Sequence, residues 1–180
     1  MNNLPILKPD SSEYPVWFAG EIEPIFYNDL IFGLSDSLEQ SISILQSLHD
    51  EQLQFRYQPT KWTIKEIWQH IIDVERILAY RAVRYARNDK TILSGFDENR
   101  YAAESMANNR EWDEMLIEYE AVRRSTIYLF KSFDGDMLLK KGTTGRSEMT
   151  VRAVGYLILG HDIHHLNTIK ERYLNDKSNP

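Results

Sequence analysis

The 180-residue chain contains no cysteine. That absence removes disulfides, thiolate metal ligands and a protein-borne thiol nucleophile together, so thiol chemistry here would need an imported thiol. A basic surplus is missing too. There are 21 Lys and Arg against 27 Asp and Glu, a formal net charge of −6, whereas a general binder of nucleic-acid phosphates shows the opposite sign. No stretch approaches the roughly 18 apolar residues of a membrane span, and the opening MNNLPILKPD has neither a basic n-region nor an apolar core. Strand-type alternation and internal repeats are also lacking. These absences predict a soluble, cytoplasmic protein, with no nucleic acid and no membrane as partner. The length favours one domain over 1–180 with a substantial core.

What is present is helical periodicity. Over about 28–49, Leu30, Ile31, Leu34, Leu38, Ile42, Leu45 and Leu48 recur at steps of three and four. A second segment covers about 64–88 and is opened by Thr63 with Glu66 three residues on, the spacing of a capping box. A third spans about 111–133 and stops at Asp134-Gly135; a fourth spans about 151–174 with Thr150 as N-cap, its end dissolving into NDKSNP. The links 89–110 and 134–149 are long enough to serve as pocket walls or as plain crossovers. Residues 1–24, with four prolines beside Tyr14, Trp17 and Phe18, read as an extended arm whose aromatics pack on the helices. Four apolar stripes without strands predict an all-α chain, an antiparallel four-helix bundle.

Polar residues inside such stripes are the informative ones. His70 falls in the stripe Ile67, His70, Ile71, Val74, and His161 and His165 fall in Leu157, Ile158, His161, His165. Residues four apart on a helix hold their Cβ atoms about 5–6 Å from each other, so His161 and His165 can converge on one cation, with His70 as a third ligand from a facing helix. Buried imidazoles stay neutral and ready to coordinate. Three neutral ligands leave positions open on the ion, the arrangement of catalytic rather than structural sites. Each histidine alone has a plainer reading, as a core side chain satisfied by a carbonyl or carboxylate. The three together favour a divalent metal, zinc first, then nickel or manganese. His164 lies on a flank and His49 at an exposed helix end. Asp162, between the paired histidines, and Asp73, three residues past His70, are candidates for proton handling or for supporting a ligand's second nitrogen, with a surface charge as the alternative for each.

Several segments also resemble one family in order and separation: KWTIKEIWQHIIDVERILAYR from Lys61, GFDENRY from Gly95, EAVRRSTIYLF from Glu120 and GHDIHH from Gly160. Together they resemble the DinB/YfiT-like superfamily from about 28 to 174. The resemblance implies a four-helix bundle whose divalent metal is held at the positions of His70, His161 and His165. It also implies one of two activities: transfer of a low-molecular-weight thiol such as bacillithiol to an electrophile, or hydrolysis of an ester or amide by metal-activated water. A bundle that binds metal or ligand without catalysis is the third reading. Homodimers are implied as well.

Overall fold

The computed structural model describes residues 4–145 and 147–174. Along the arm, two 3₁₀ turns lead into the short helix α1 (Ala19–Ile22). Then follow α2 (Leu30–Leu45), α3 (Asp50–Leu53), α4 (Ile64–Ala86), α5 (Glu98–Glu104), α6 (Trp112–Lys131) and α7 (Gly135–Leu139). The strands β1 (Lys141–Thr144) and β2 (Ser147–Thr150) precede α8 (Val151–Ile169), which continues as a π-helical turn, Lys170–Leu174. The start of the arm at 1–3 and the tail read as NDKSNP, 175–180, lie outside the described residues.

The long helices α2, α4, α6 and α8 are the four predicted stripes, and they begin where local chemistry requires. Thr63 accepts from the Glu66 N–H at 3.1 Å while Glu66 accepts from the Thr63 N–H at 2.8 Å, so two orphan donors of the first turn are satisfied. Asp29 caps α2 by accepting from the Ile31 N–H, and Thr150 caps α8 by accepting from the Ala153 N–H. Asp134, read as a stop, instead caps α7.

Buried apolar side chains form two clusters. One gathers Leu30 and Leu34 from the start of α2, Leu78 and Tyr85 from the end of α4, Phe130 from the end of α6 and Val154 from the start of α8. The other gathers Leu45, Trp68, Met115, Tyr119 and Ile169 from the opposite ends. Two helices therefore run each way, α2 with α8 and α4 with α6, and α4 packs antiparallel on α8 as α2 does on α6. The long link after α4 exists because α6 must start at the far end of the bundle.

Between the clusters lies a polar belt: Ser37, His70, Glu75, Arg123, Thr126 and Asp162 are all buried there. The all-helical expectation is departed from at the β1–β2 hairpin, paired antiparallel from Lys141↔Thr150 to Thr144↔Ser147. Strands of four residues are too short to display an alternation in sequence. The turn residue Gly145 sits at φ 58°, where glycine carries no Cβ penalty. Leu93 pairs with the hairpin through Thr143 and Gly145, which ties the long link to α8.

The arm is not simply extended, and its aromatics divide. Tyr14 is buried, Phe18 is half-buried and Trp17 is 63% exposed. It is anchored by polar contacts: the Leu30 N–H and the Tyr156 hydroxyl donate to the Ile6 carbonyl at 3.0 Å each, and Thr150 donates to the Glu13 carboxylate at 2.8 Å. Arg152 pairs with the same carboxylate.

Candidate metal centre

The belt brings the three stripe histidines together. His70 comes from α4 and His161 and His165 from α8, and one ring nitrogen of each lies within 4.8 Å of the others. The closest approaches are Nε2 to Nε2, 3.0 Å between His70 and His161 and 3.2 Å between His165 and His161. Metal–nitrogen bonds of about 2.0–2.1 Å set neighbouring donors about 3 Å apart at right angles and slightly more in a tetrahedron. The two pairs that share His161 thus already stand at the spacing an ion imposes. Protons alone serve them poorly, since two nitrogens converge on one, His161 Nε2.

Electrostatics point the same way. Burial brings His70 down to about 4 and His165 to about 3, the latter aided by the charges of His70 and His164. His161 is held well below the ordinary range, by burial first and then by the other histidines. All three are neutral ligands at pH 7, with nothing anionic in the set. A divalent cation fits this donor set: imidazole suits zinc, nickel, iron and copper, and three protein ligands leave room for a further one. The Trp62 ring packs on His70 at 4.9 Å between centroids. Beside His165 a cavity of about 230 Å³ opens between Tyr57, Lys61, Trp62, Asn99, Thr168 and Tyr173.

The remaining candidates fall elsewhere. His164 is exposed, its ring 5.2 Å from that of His165, and His49 is exposed at the start of α3. Asp162 is fully buried, so its surface reading is excluded. It accepts from the Tyr119 hydroxyl at 3.1 Å and from Arg123 at 3.3 Å. Burial raises its carboxyl, against the opposing pull of Arg123. Asp73 is half-buried on the flank of α4 that faces Arg76, Arg110 and Glu118, accepts from Gln69 at 2.9 Å and is raised by burial. Neither carboxylate hydrogen-bonds to a histidine ring among the described residues.

Sequence reasoning missed the partners of Asp162. Arg123 donates to both Glu75 oxygens at 3.0 Å and to Ser37 at 2.6 Å, with Arg123 and Glu75 both buried. A signal was available: Glu75 lies four after Ile71, Arg123 four after Tyr119 and Asp162 four after Ile158, all on core stripes. Asn99 falls in the 89–110 link that was open to a pocket-wall reading, whereas Tyr57, Trp62 and Tyr173 were missed without such a signal, because a cavity wall assembled from separate segments has no period.

Fold and site together define a helical bundle with a mid-depth cluster of three neutral histidines. The family model described as DinB superfamily matches residues 34–169, and the chain belongs to that superfamily. Among solved structures it is similar to YfiT from Bacillus subtilis, described as a probable metal-dependent hydrolase with an unusual four-helix bundle topology, with a TM-score of 0.73 at 15% identity. That similarity covers 79% of this chain and 82% of YfiT and bears on the fold. No curated protein matches significantly.

Proposed function

We propose that the chain is a divalent-metal enzyme, with zinc as the ion, that joins a low-molecular-weight thiol to an electrophile. The observation that carries the metal is the convergence of three neutral Nε2 atoms at 3.0 and 3.2 Å. His70, His161 and His165 would hold the ion. Bound there, it would supply Lewis acidity that makes a coordinated thiol or water far more acidic. The thiol reading is supported by the donor set. Three imidazoles bring no negative charge, so an anionic co-substrate is favoured, and the chain has no thiol of its own. The chain's residues contribute position and dryness. Trp62 covers His70, and Tyr57 and Tyr173 offer apolar walls to the electrophile beside His165. The buried Arg123–Glu75–Asp162 network fixes the α8 turn that carries His161.

A second reading, hydrolysis of an ester or amide, is favoured by the description of YfiT as a probable metal-dependent hydrolase. One experiment separates them: zinc-loaded protein is given cellular thiols with an aromatic electrophile, and separately aromatic esters without thiol. Thiol-dependent conjugation that disappears in His161→Ala supports the transferase. Ester cleavage without thiol replaces it with the hydrolase, and no turnover in either arm contradicts both in favour of binding alone.

A further inference from the structure

The cavity beside His165 has walls of a definite chemistry. At about 230 Å³ it is smaller than the roughly 300–1,000 Å³ of drug-sized ligand sites, and so takes about one ring with a short substituent. Its walls are aromatic. Tyr57 and Trp62 line it and are half-buried, so each keeps ring surface open. Tyr173 backs them: its ring stands 5.1 Å from that of Tyr57 at 88°, and its hydroxyl donates to the Trp62 carbonyl at 2.6 Å. The π-helical turn Lys170–Leu174 thereby ties down the loop that carries Trp62, and the corner is in place before a ligand arrives. Charge in the cavity has one sign. Among the described residues none that lines it is acidic, and Lys61 brings a cation. The Lys61 backbone is fixed, its N–H donating to the Gln58 carbonyl at 3.0 Å and its carbonyl accepting from Arg56 at 2.5 Å. Its exposed ammonium has no ion pair or hydrogen bond among the described residues, whereas the neighbouring cation, Arg56, is paired with Glu66 at 2.8 Å.

Resting on the reaction proposed above, we infer that the electrophile is a small aromatic anion. One arene ring sits against Tyr57 and Trp62, an oxyanion group such as a carboxylate meets the Lys61 ammonium, and the opposite edge of the ring is turned to His165 and the ion. The ring adds its apolar area to a wall already formed, and the anion gives the unpartnered ammonium a charge-assisted hydrogen bond. A cationic ligand is repelled by Lys61 and by the ion alike. A ligand without a ring leaves the aromatic corner unfilled.

Benzenesulfonate is the probe, because a sulfonate is a poor zinc ligand and keeps the ion itself out of the affinity. Zinc-loaded wild type, Lys61→Gln, Lys61→Arg and Tyr57→Leu are titrated with it by ligand-observed NMR, beside methanesulfonate, an anion without a ring, and benzyltrimethylammonium, a ring of opposite charge. Wild type is expected to bind benzenesulfonate about tenfold more tightly than either control. Lys61→Gln should lose about tenfold, Lys61→Arg should keep most of the affinity, and Tyr57→Leu should lose about fivefold. In cobalt-loaded wild type the ring protons of the bound probe should relax faster than in the zinc form, since the cavity reaches His165. Unchanged affinity in Lys61→Gln, or tighter binding of benzyltrimethylammonium, overturns the anion; equal affinity for methanesulfonate overturns the ring. Unchanged relaxation with cobalt and probe both bound puts the ligand elsewhere and overturns the inference, as does zinc-loaded protein that binds no benzenesulfonate. Protein that binds benzenesulfonate but takes up no zinc overturns instead the metal reading, and with it the ligand's role as electrophile.

Discussion

Glu21 burdens the fold that holds it. Its carboxyl lies at about 7 in the folded chain, raised from 4.5 by burial and by Glu98, so the folded state binds this proton more tightly than the unfolded one. The contribution is intact below about pH 4.5 and is lost as pH rises through about 7. Glu21→Gln should leave thermal stability unchanged at pH 4.5 and raise Tm by about 3 °C at pH 8, measured by calorimetry. A rise of equal size at both pH values would contradict the assignment. Arg123 behaves oppositely. Removing it by Arg123→Met strands Glu75 and Asp162 without their cation, a change expected to cost about 3–5 kcal/mol in urea denaturation. A loss below about 1 kcal/mol, as for a surface ion pair, would show that the network is not dry.

At the level of elements, a close backbone contact joins the arm to α8. Gly160→Ala places a methyl group into the Glu21 carbonyl, and backbone cannot yield as a flexible side chain does. The expected cost is about 1–3 kcal/mol, with α1 released. Limited proteolysis should then cut within 4–24 faster than in wild type, while α4 and α6 remain protected; unchanged cleavage would contradict the contact. The same contact shows where sequence reasoning stops. The four long helices were legible because each buries one face over many turns, and His70, His161 and His165 were legible because they interrupt that face. Their partners were harder. Glu75, Arg123 and Asp162 also occupy inward positions, but that they meet each other depends on which helices are neighbours and how they run. The hairpin was too short for a pattern. Glu21 was invisible, since an arm helix of four residues has no period and its placement depends on a glycine 139 residues later.

For the molecule as a whole, the polar belt explains the plan. Two apolar clusters at the ends supply stability, and the dry layer between them holds histidines and charges that neither cluster could tolerate. No helix among the described residues is long and apolar enough to cross a membrane. An ion that binds only the folded chain stabilises it by mass action, about 2.7 kcal/mol at one hundred times its dissociation constant. Exhaustive chelation should therefore lower Tm by about 5–10 °C, and added zinc should restore it; a Tm indifferent to both would contradict the centre. We also propose a homodimer, which light scattering would report as twice 21.2 kDa; a single-chain mass would refute it. The most direct test of the central claim is elemental analysis of purified wild type beside His70→Ala and a His161→Ala, His165→Ala variant. About one divalent ion per wild-type chain, lost in both variants while circular dichroism shows the helices intact, is the predicted result. Equal metal content in all three proteins would contradict it.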